Sequence, residues 1–276
     1  MKAMPRSPGF LAAPGMKGWG KCVCLAWAMM LAGCYTVPET GRSAFVLPFL
    51  NEVAQGTAAF ADLKAKAKIS DDPALNAQAQ RVGKRIAEAV GKDLPGANWE
   101  FVVFEAPQTA NAFALPGGKV GVYSGLLRLV ESDDELAAVL GHEIAHVTAR
   151  HGAQRASQEV AAVAGGVLLA VETRDMKNRY LLLAAYGAVA GAGVLAFSRE
   201  NESEADFIGI RYAAKAGYDP QAAVVFWKRM AKASQAAEKA GWLMSLISTH
   251  PPYARRIAAL EQAVPEAEKV RSKKAE

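Results

Sequence analysis

The sequence predicts an α+β fold, mainly helical, with a small β-sheet beside one buried helix. Three observations predict it. Helix-start signals stand ahead of apolar residues at helical spacing, at Asp72-Pro73, at Ser132-Asp133-Asp134-Glu135 and at Asp219-Pro220. Two short runs rich in β-branched and aromatic residues, 99–104 and 119–123, flank the turn signal Pro116-Gly117-Gly118. The chain has 276 residues, 51% of them hydrophobic, enough for one sizeable core.

At the N-terminus, Lys17 and Lys21 precede an apolar run over 22–32. That run is too short to span a bilayer and suits the apolar core of a secretory signal. It ends in Leu31-Ala32-Gly33-Cys34, which looks like a bacterial lipobox, so 1–33 is read as a leader and Cys34 as the lipidated first residue of the mature chain. Tyr35, rather than an acidic residue, follows the cysteine, the sorting pattern of a lipoprotein on the periplasmic face of the outer membrane. Met16 offers an alternative start. Cys22 and Cys24 fall within the leader, so no disulfide is expected in the mature chain. Four of the 32 basic residues, Lys2, Arg6, Lys17 and Lys21, also belong to the leader, so the remainder is nearly neutral against 27 acidic residues. Nothing in that balance favours nucleic acid.

Residues 34–70 read as a linker and lead-in helix, 71–264 as the main domain, and 265–276 as a charged, frayed tail. Within the domain, Asp72 caps a helix that opens on Pro73 and lays Leu75, Ala79, Val82, Ile86 and Val90 on one face. The strands at 99–104 and 119–123 are expected to join through Pro116-Gly117-Gly118. The segment from Asn111 to Tyr123, with Asn111, Ala112 and Phe113 foremost, would offer an exposed edge on which an extended peptide could pair. Ser132 to Glu135 reads as a capping box leading into Leu136, Val139, Leu140, Ile144 and Val147. The uncharged stretches 160–171 and 181–197 are expected to be buried helices, with a membrane-dipping hairpin as the alternative, and 172–179 a charged loop or lid between them. Gly187 and Gly191 in the second stretch suit close helix packing. Asp219-Pro220 opens a further helix carrying Val224, Val225, Trp227 and Met230.

The chemistry centres on His142-Glu143-Ile144-Ala145-His146. Two imidazoles at i and i+4 share a helix face and can ligate one Zn²⁺, while Glu143, turned by about 100°, reaches a water on the metal. A catalytic zinc takes three protein ligands and keeps one position open, so a third is required. The metzincin pattern would supply a histidine and a glycine where this chain has Gly152 and Ala149, which excludes that class. The acidic stretch 198–206 holds Glu202 and Asp206 at i and i+4; one can bind the metal while the other orients a ligand. Glu204 is a rival within the same run.

With Asn111-Ala112-Phe113-Ala114-Leu115-Pro116-Gly117-Gly118, Gly141-His142-Glu143-Ile144-Ala145-His146-Val147, Glu202-Ser203-Glu204-Ala205-Asp206 and Thr249-His250-Pro251-Pro252 in this order, the chain resembles the HtpX-like and Oma-type family of gluzincin metallopeptidases, and most of all its periplasmic lipoprotein branch. The resemblance implies a zincin-like metallopeptidase domain with one Zn²⁺ per chain. It makes Glu202 the third ligand and Asp206 the hydrogen-bond acceptor that fixes a ligating imidazole. It adds His250, either as a fourth ligand that closes the resting site or as a donor to the developing oxyanion, and Arg256 near it. His151 fits the family's extended helix pattern but points off the zinc face. The implied function is hydrolysis of misfolded or stalled periplasmic and outer-membrane proteins, with Glu143 as general base. An outer-membrane assembly chaperone with a closed or structural zinc site is the alternative. The implied partners are unfolded envelope proteins, the membrane through the Cys34 lipid, and outer-membrane assembly machinery.

Overall fold

The computed structural model describes residues 33–48, 50–235, 244–251 and 254–275. The leader expected over 1–33 therefore lies, but for Gly33, outside the described residues. The described chain opens with β1 (Cys34–Thr36) and β2 (Ser43–Phe45), an antiparallel pair in which Cys34 stands opposite Phe45. In α1 (Glu52–Lys66), Asn51 caps the first turn by accepting from the Ala54 amide at 3.1 Å, and Phe60 is buried.

α2 (Pro73–Val90) forms as its start signal dictates. Asp72 Oδ1 accepts from the amides of Ala74 at 2.9 Å and Leu75 at 3.2 Å, and Pro73 occupies a first-turn position whose N–H has no helical partner to lose. Ala79, Val82, Ile86 and Val90 are buried; burying each of the three larger side chains contributes about 1.5–3 kcal/mol. Leu75 is half-buried at the rim of the core.

The sheet departs from the expected hairpin. Its order is β3 (Glu100–Phe104), β5 (Lys119–Tyr123), β4 (Ala112–Leu115), with β3 parallel to β5 and β4 antiparallel to it. Pro116-Gly117-Gly118 joins β4, not β3, to β5, and both glycines take positive φ, 91° and 80°. Ala112-Phe113-Ala114-Leu115 is too short and too alanine-rich to announce itself as a strand, yet it is the edge that faces the histidine helix.

After the short α3 (Ser124–Leu129), α4 (Asp133–Thr148) starts at its capping box. Ser132 Oγ accepts from the Glu135 amide at 3.2 Å, and Glu135 Oε2 accepts from the amide of Glu131 at 2.8 Å. Every residue of α4 from Glu135 to Ala145 is buried. It is a central helix, wrapped by β4, α2, and the helices that follow, α6 (Arg179–Lys215) and α7 (Gln221–Gln235). α8 (Met244–Thr249) and α9 (Ala254–Ala275) complete the fold.

Two further expectations fail. α5 (His151–Glu172) and the first half of α6 form a helical pair, but their uncharged stretches are exposed, not buried: Val163 is 67%, Leu181 70% and Val189 74% accessible. Among the described residues they pack mainly on each other over most of their length. The connection near 172–179 is the charged turn that was anticipated. Nor does the chain fray at Pro265. α9 runs through it, because Leu260, Val264 and Ala267 keep one face docked on the core against α6 and α7.

Candidate active site

α4 carries His142 and His146 one turn apart, and α6 crosses it with backbones in contact. A Cβ at Gly141 would lie 2.6 Å from the Gly209 carbonyl oxygen, and one at Gly209 2.7 Å from the His142 nitrogen. Only a glycine on each helix permits this approach. The crossing sets Glu202 and Asp206, on the preceding turns of α6, opposite the histidines. His250 enters just past α8, its amide donating to Leu246 O at 2.8 Å, and Arg256 enters from the first turn of α9.

Four side chains converge there. His142 Nε2 lies 3.1 Å from both His146 Nε2 and His250 Nδ1. Glu202 Oε2 lies 3.0 Å from His250 Nδ1 and 3.4 Å from His142 Nε2, and Oε1 lies 3.3 Å from His146 Nε2. A tetrahedral ion with N and O ligands at about 2.1 Å has ligand-to-ligand edges of about 3.4 Å. The observed separations approach those edges, so His142, His146, Glu202 and His250 form a group able to hold a metal ion. Glu143 stands beside it. Its Oε1 is buried without a hydrogen-bond partner, although His250 Nε2 is 3.2 Å away. An orphaned acceptor of this kind, next to converging donors, fits a site built around a cation and its water.

The surrounding hydrogen bonds fix each ring. With Nε2 turned into the group, His142 must carry its hydrogen on Nδ1, which donates to Asp206 Oδ1 at 2.9 Å. Arg256 clamps Asp206 with its guanidinium, one N–H reaching Oδ1 at 2.8 Å, and also lies 3.2 Å from Glu202 Oε2. It is buried over the Trp227 ring, its guanidinium carbon 3.8 Å from the ring centroid. The same reasoning puts the His146 hydrogen on Nδ1, donating to His151 Nδ1 at 2.9 Å. His151 Nε2 in turn donates to Glu204 Oε2 at 2.9 Å. Glu204 is held by Arg42 Nε at 2.9 Å and Thr40 Oγ1 at 2.9 Å. All four histidines of the chain thus share one network.

Burial alone would raise the Glu202 carboxyl, but its contacts with His142, His146 and His250 hold it far below the usual carboxylate range. Burial and the charge of Arg256 push His142 down, yet Asp206 and Glu202 outweigh them and raise it to about 9. Burial, aided by the charge on His142, lowers His146 to about 3. A carboxylate cluster that draws a proton onto one buried imidazole is electrostatically suited to a divalent ion in that proton's place.

Each residue singled out in the sequence can now be placed. His142, His146, Glu202 and His250 meet; Asp206 and Arg256 brace them, and Arg256 rather than the exposed Arg255 is the buried one. Glu204 turns away from the group toward His151. Of the three residues expected to hold substrate, Ala112 is buried and Phe113 packs among Phe60, Phe104 and Tyr123. The Asn111 side chain accepts from the neighbouring Ala112 amide. The cavity beside the group, about 870 Å³, is instead lined by the next residues of the edge strand and its turn, Ala114, Leu115 and Pro116. Period-two alternation puts Ala112 and Ala114 on one face, so only the strand's outer end reaches the opening. Sequence reading missed Arg42 and Thr40, more than a hundred positions away from the residues they support, and the Gly141–Gly209 contact. No local signal marks either.

The sequence profile described as Peptidase family M48 matches residues 73–264. Mitochondrial metalloendopeptidase OMA1 of Schizosaccharomyces pombe is 40% identical over 189 residues, 68% of this chain and 52% of that protein. The beta-barrel assembly-enhancing protease of Yersinia pestis is 34% identical over 223 residues, 78% of this chain and 44% of that protein, and its Escherichia coli counterpart 31% over 235 residues, 81% and 46%. The chain spans about half the length of these curated relatives.

Proposed function

The chain belongs to peptidase family M48, and on that premise we propose that it is a zinc-dependent endopeptidase of the bacterial envelope. The observation that carries the reading is the convergence of three imidazoles and one carboxylate, with the buried Glu143 carboxylate beside them. Borderline-soft nitrogen with one carboxylate suits Zn²⁺, which supplies Lewis acidity toward a water and a scissile carbonyl. The remaining work falls to the protein. Glu143 takes the water proton and returns it to the departing amine. Asp206 and the Glu204–His151 pair hold the two imidazoles of α4 in register. The outer end of β4 lies at the sheet edge beside the cavity, where an extended chain could pair, and that demand for an extended chain favours unfolded substrates.

The leader pattern and the Cys34 lipobox support placement on the periplasmic face of the outer membrane. There the substrates would be misfolded or stalled envelope proteins, and outer-membrane assembly machinery a candidate partner. His250 supports a second reading of the same centre. With its Nδ1 inside the donor group it would fill the fourth position, so that the enzyme rests closed, or serves chiefly as an assembly chaperone. Hydrolysis of denatured casein by the metal-loaded protein, lost in Glu143→Gln with metal content unchanged, is the expected result. Equal cleavage by Glu143→Gln would refute the assignment of the base, and no cleavage by wild type or His250→Ala would favour the chaperone.

A further inference from the structure

We propose that Arg42, on the hairpin that follows Cys34, is a positioning residue of the metal centre, which fixes the ring of His146 through Glu204 and His151. This role presupposes the metal group described above. Arg42 stands ahead of the profile-matched stretch 73–264, so the brace reaches the catalytic helices from outside it.

Glu204 lies two residues past Glu202 on α6, about 200° around the helix, so that one carboxylate faces the metal group and the other faces His151. A glutamate side chain is long and rotamer-rich, and a single contact with an imidazole would leave it free to turn. Four donor contacts remove that freedom. Thr40 Oγ1 and Arg42 Nε donate to Oε1, both at 2.9 Å, while Arg42 Nη2 and His151 Nε2 donate to Oε2. A two-pronged guanidinium fixes the plane of a carboxylate as well as its place, and here it aims Oε2 at His151 Nε2. With its hydrogen on Nε2, His151 keeps Nδ1 bare to accept from His146 Nδ1 at 2.9 Å. That turns His146 Nε2 into the metal group. Arg42 Nη2 also donates to Gln154 Oε1 at 3.1 Å, and the buried Gln154 donates to the Ala149 carbonyl. The same guanidinium therefore grips the corner between α4 and α5.

The hairpin that carries Arg42 is seated on its own account. Glu39, in its turn, takes a φ of 65°, a left-handed conformation that residues other than glycine rarely adopt, and Arg211 Nε at 2.7 Å and Lys215 Nζ hold its carboxylate against α6. The Tyr35 hydroxyl donates to the Thr148 carbonyl at the end of α4, and the Leu47 amide donates to Ser157 Oγ of α5 at 2.9 Å. These contacts tie the hairpin and the chain just after it to the three helices that bear His146, His151 and Glu204, yet none of them touches the relay. Two roles can therefore be separated. Loss of Glu39 loosens the hairpin while Arg42 keeps its own hold on Glu204; loss of Arg42 breaks the path to the metal while the turn stays clamped.

The test measures Zn²⁺ affinity of the full chain in detergent by chelator competition, with thermal unfolding of the metal-free protein as the report on the fold. Arg42→Gln should weaken Zn²⁺ binding by about five- to tenfold, and Arg42→Lys, which restores the charge and a donor, should recover part of the loss. Glu39→Gln should lower the melting temperature and leave Zn²⁺ affinity unchanged. In a Glu204→Ala background, Arg42→Gln should add nothing, because its path to the metal is already cut. Wild-type affinity in Arg42→Gln, or a further loss when it is added to Glu204→Ala, overturns the proposal. So does an equal loss in Glu39→Gln, which would assign the effect to a loosened hairpin. A wild-type chain that binds no Zn²⁺ would defeat the metal reading and this role with it, whereas tight Zn²⁺ binding indifferent to Arg42 defeats this role alone.

Discussion

Gly209→Ala tests the geometry on which the whole site depends. A methyl at 209 would sit 2.7 Å from the His142 nitrogen and 2.9 Å from its Cα, both backbone atoms of a buried helix that cannot rotate away. Restoring ordinary contact requires α6 and α4 to separate by roughly 0.5–0.7 Å. Metal sites tolerate ligand displacements of about 0.2 Å, and α6 carries both Glu202 and Asp206. The substitution should cost about 1–3 kcal/mol by overpacking, offset by about 1 kcal/mol of improved helix propensity, and weaken metal binding tenfold or more. Gly152→Ala is the control, because it gains the same propensity at a position with nothing within 4 Å of the added methyl. Chelator competition gives the affinity and thermal unfolding of the metal-free protein gives the stability. If Gly209→Ala binds metal as tightly as wild type, the close crossing does not set the ligand geometry.

His250→Ala should raise the rate of casein cleavage if His250 Nδ1 closes the fourth position at rest; a loss of about a hundredfold with metal retained would assign it to the oxyanion instead. Glu204→Ala removes the acceptor that orients His151 and through it His146, and should weaken metal binding by about 10- to 100-fold. Glu204→Gln, whose amide oxygen still accepts, should recover part of that loss, and equal affinity of all three proteins would discard the relay. Burial alone would raise Glu39, but hydrogen bonds from Lys215 and Arg211 hold it below 4.5. A depressed carboxyl contributes stability that is full above its unfolded value and disappears as pH falls through the folded one. Glu39→Gln should therefore destabilise by roughly 1–2 kcal/mol at pH 7 and match wild type well below pH 4, by denaturant unfolding; a gap that persists in acid would refute the linkage.

The helices with local start signals were legible because a cap and a face are written within a few residues of each other. Asp72-Pro73 and the Ser132 capping box both form as read. The pairing of His142 with His146 was legible for a similar reason, since the two meet by helical spacing alone, whereas Glu202 and His250 were reached only through the family resemblance. What failed depends on partners distant in the chain. β4 is four residues long and becomes a strand only because β5 offers it a ladder, so the parallel pairing of β3 with β5 stayed hidden. The exposure of α5 and α6 was misjudged because periodicity cannot separate a helix apolar all round from a buried one; both lack a polar face. Pro265 misled in the other direction, as docking of Val264 and Ala267 keeps α9 helical past it.

The continuity of α6 joins the site to the exposed pair. A single helix of 37 residues carries the apolar stretch, then Glu202 and Asp206, then the Gly209 contact, with no break between them. At Gly209 the helix backbone lies directly against the backbone of α4. Glu202 lies seven residues before it, a lever of about 10 Å, and a tilt of 5° about that point would move the carboxylate by about 0.9 Å, several times what a tetrahedral site tolerates. The stretch beyond Glu202 is held by α5, and α5 begins at His151, the residue that orients His146. Whatever surrounds the pair therefore acts on two ligands at once, on Glu202 directly along α6 and on His146 through His151. Arg42 and Thr40, gripping Glu204 from the segment that follows Cys34, add the N-terminal strands to the same frame.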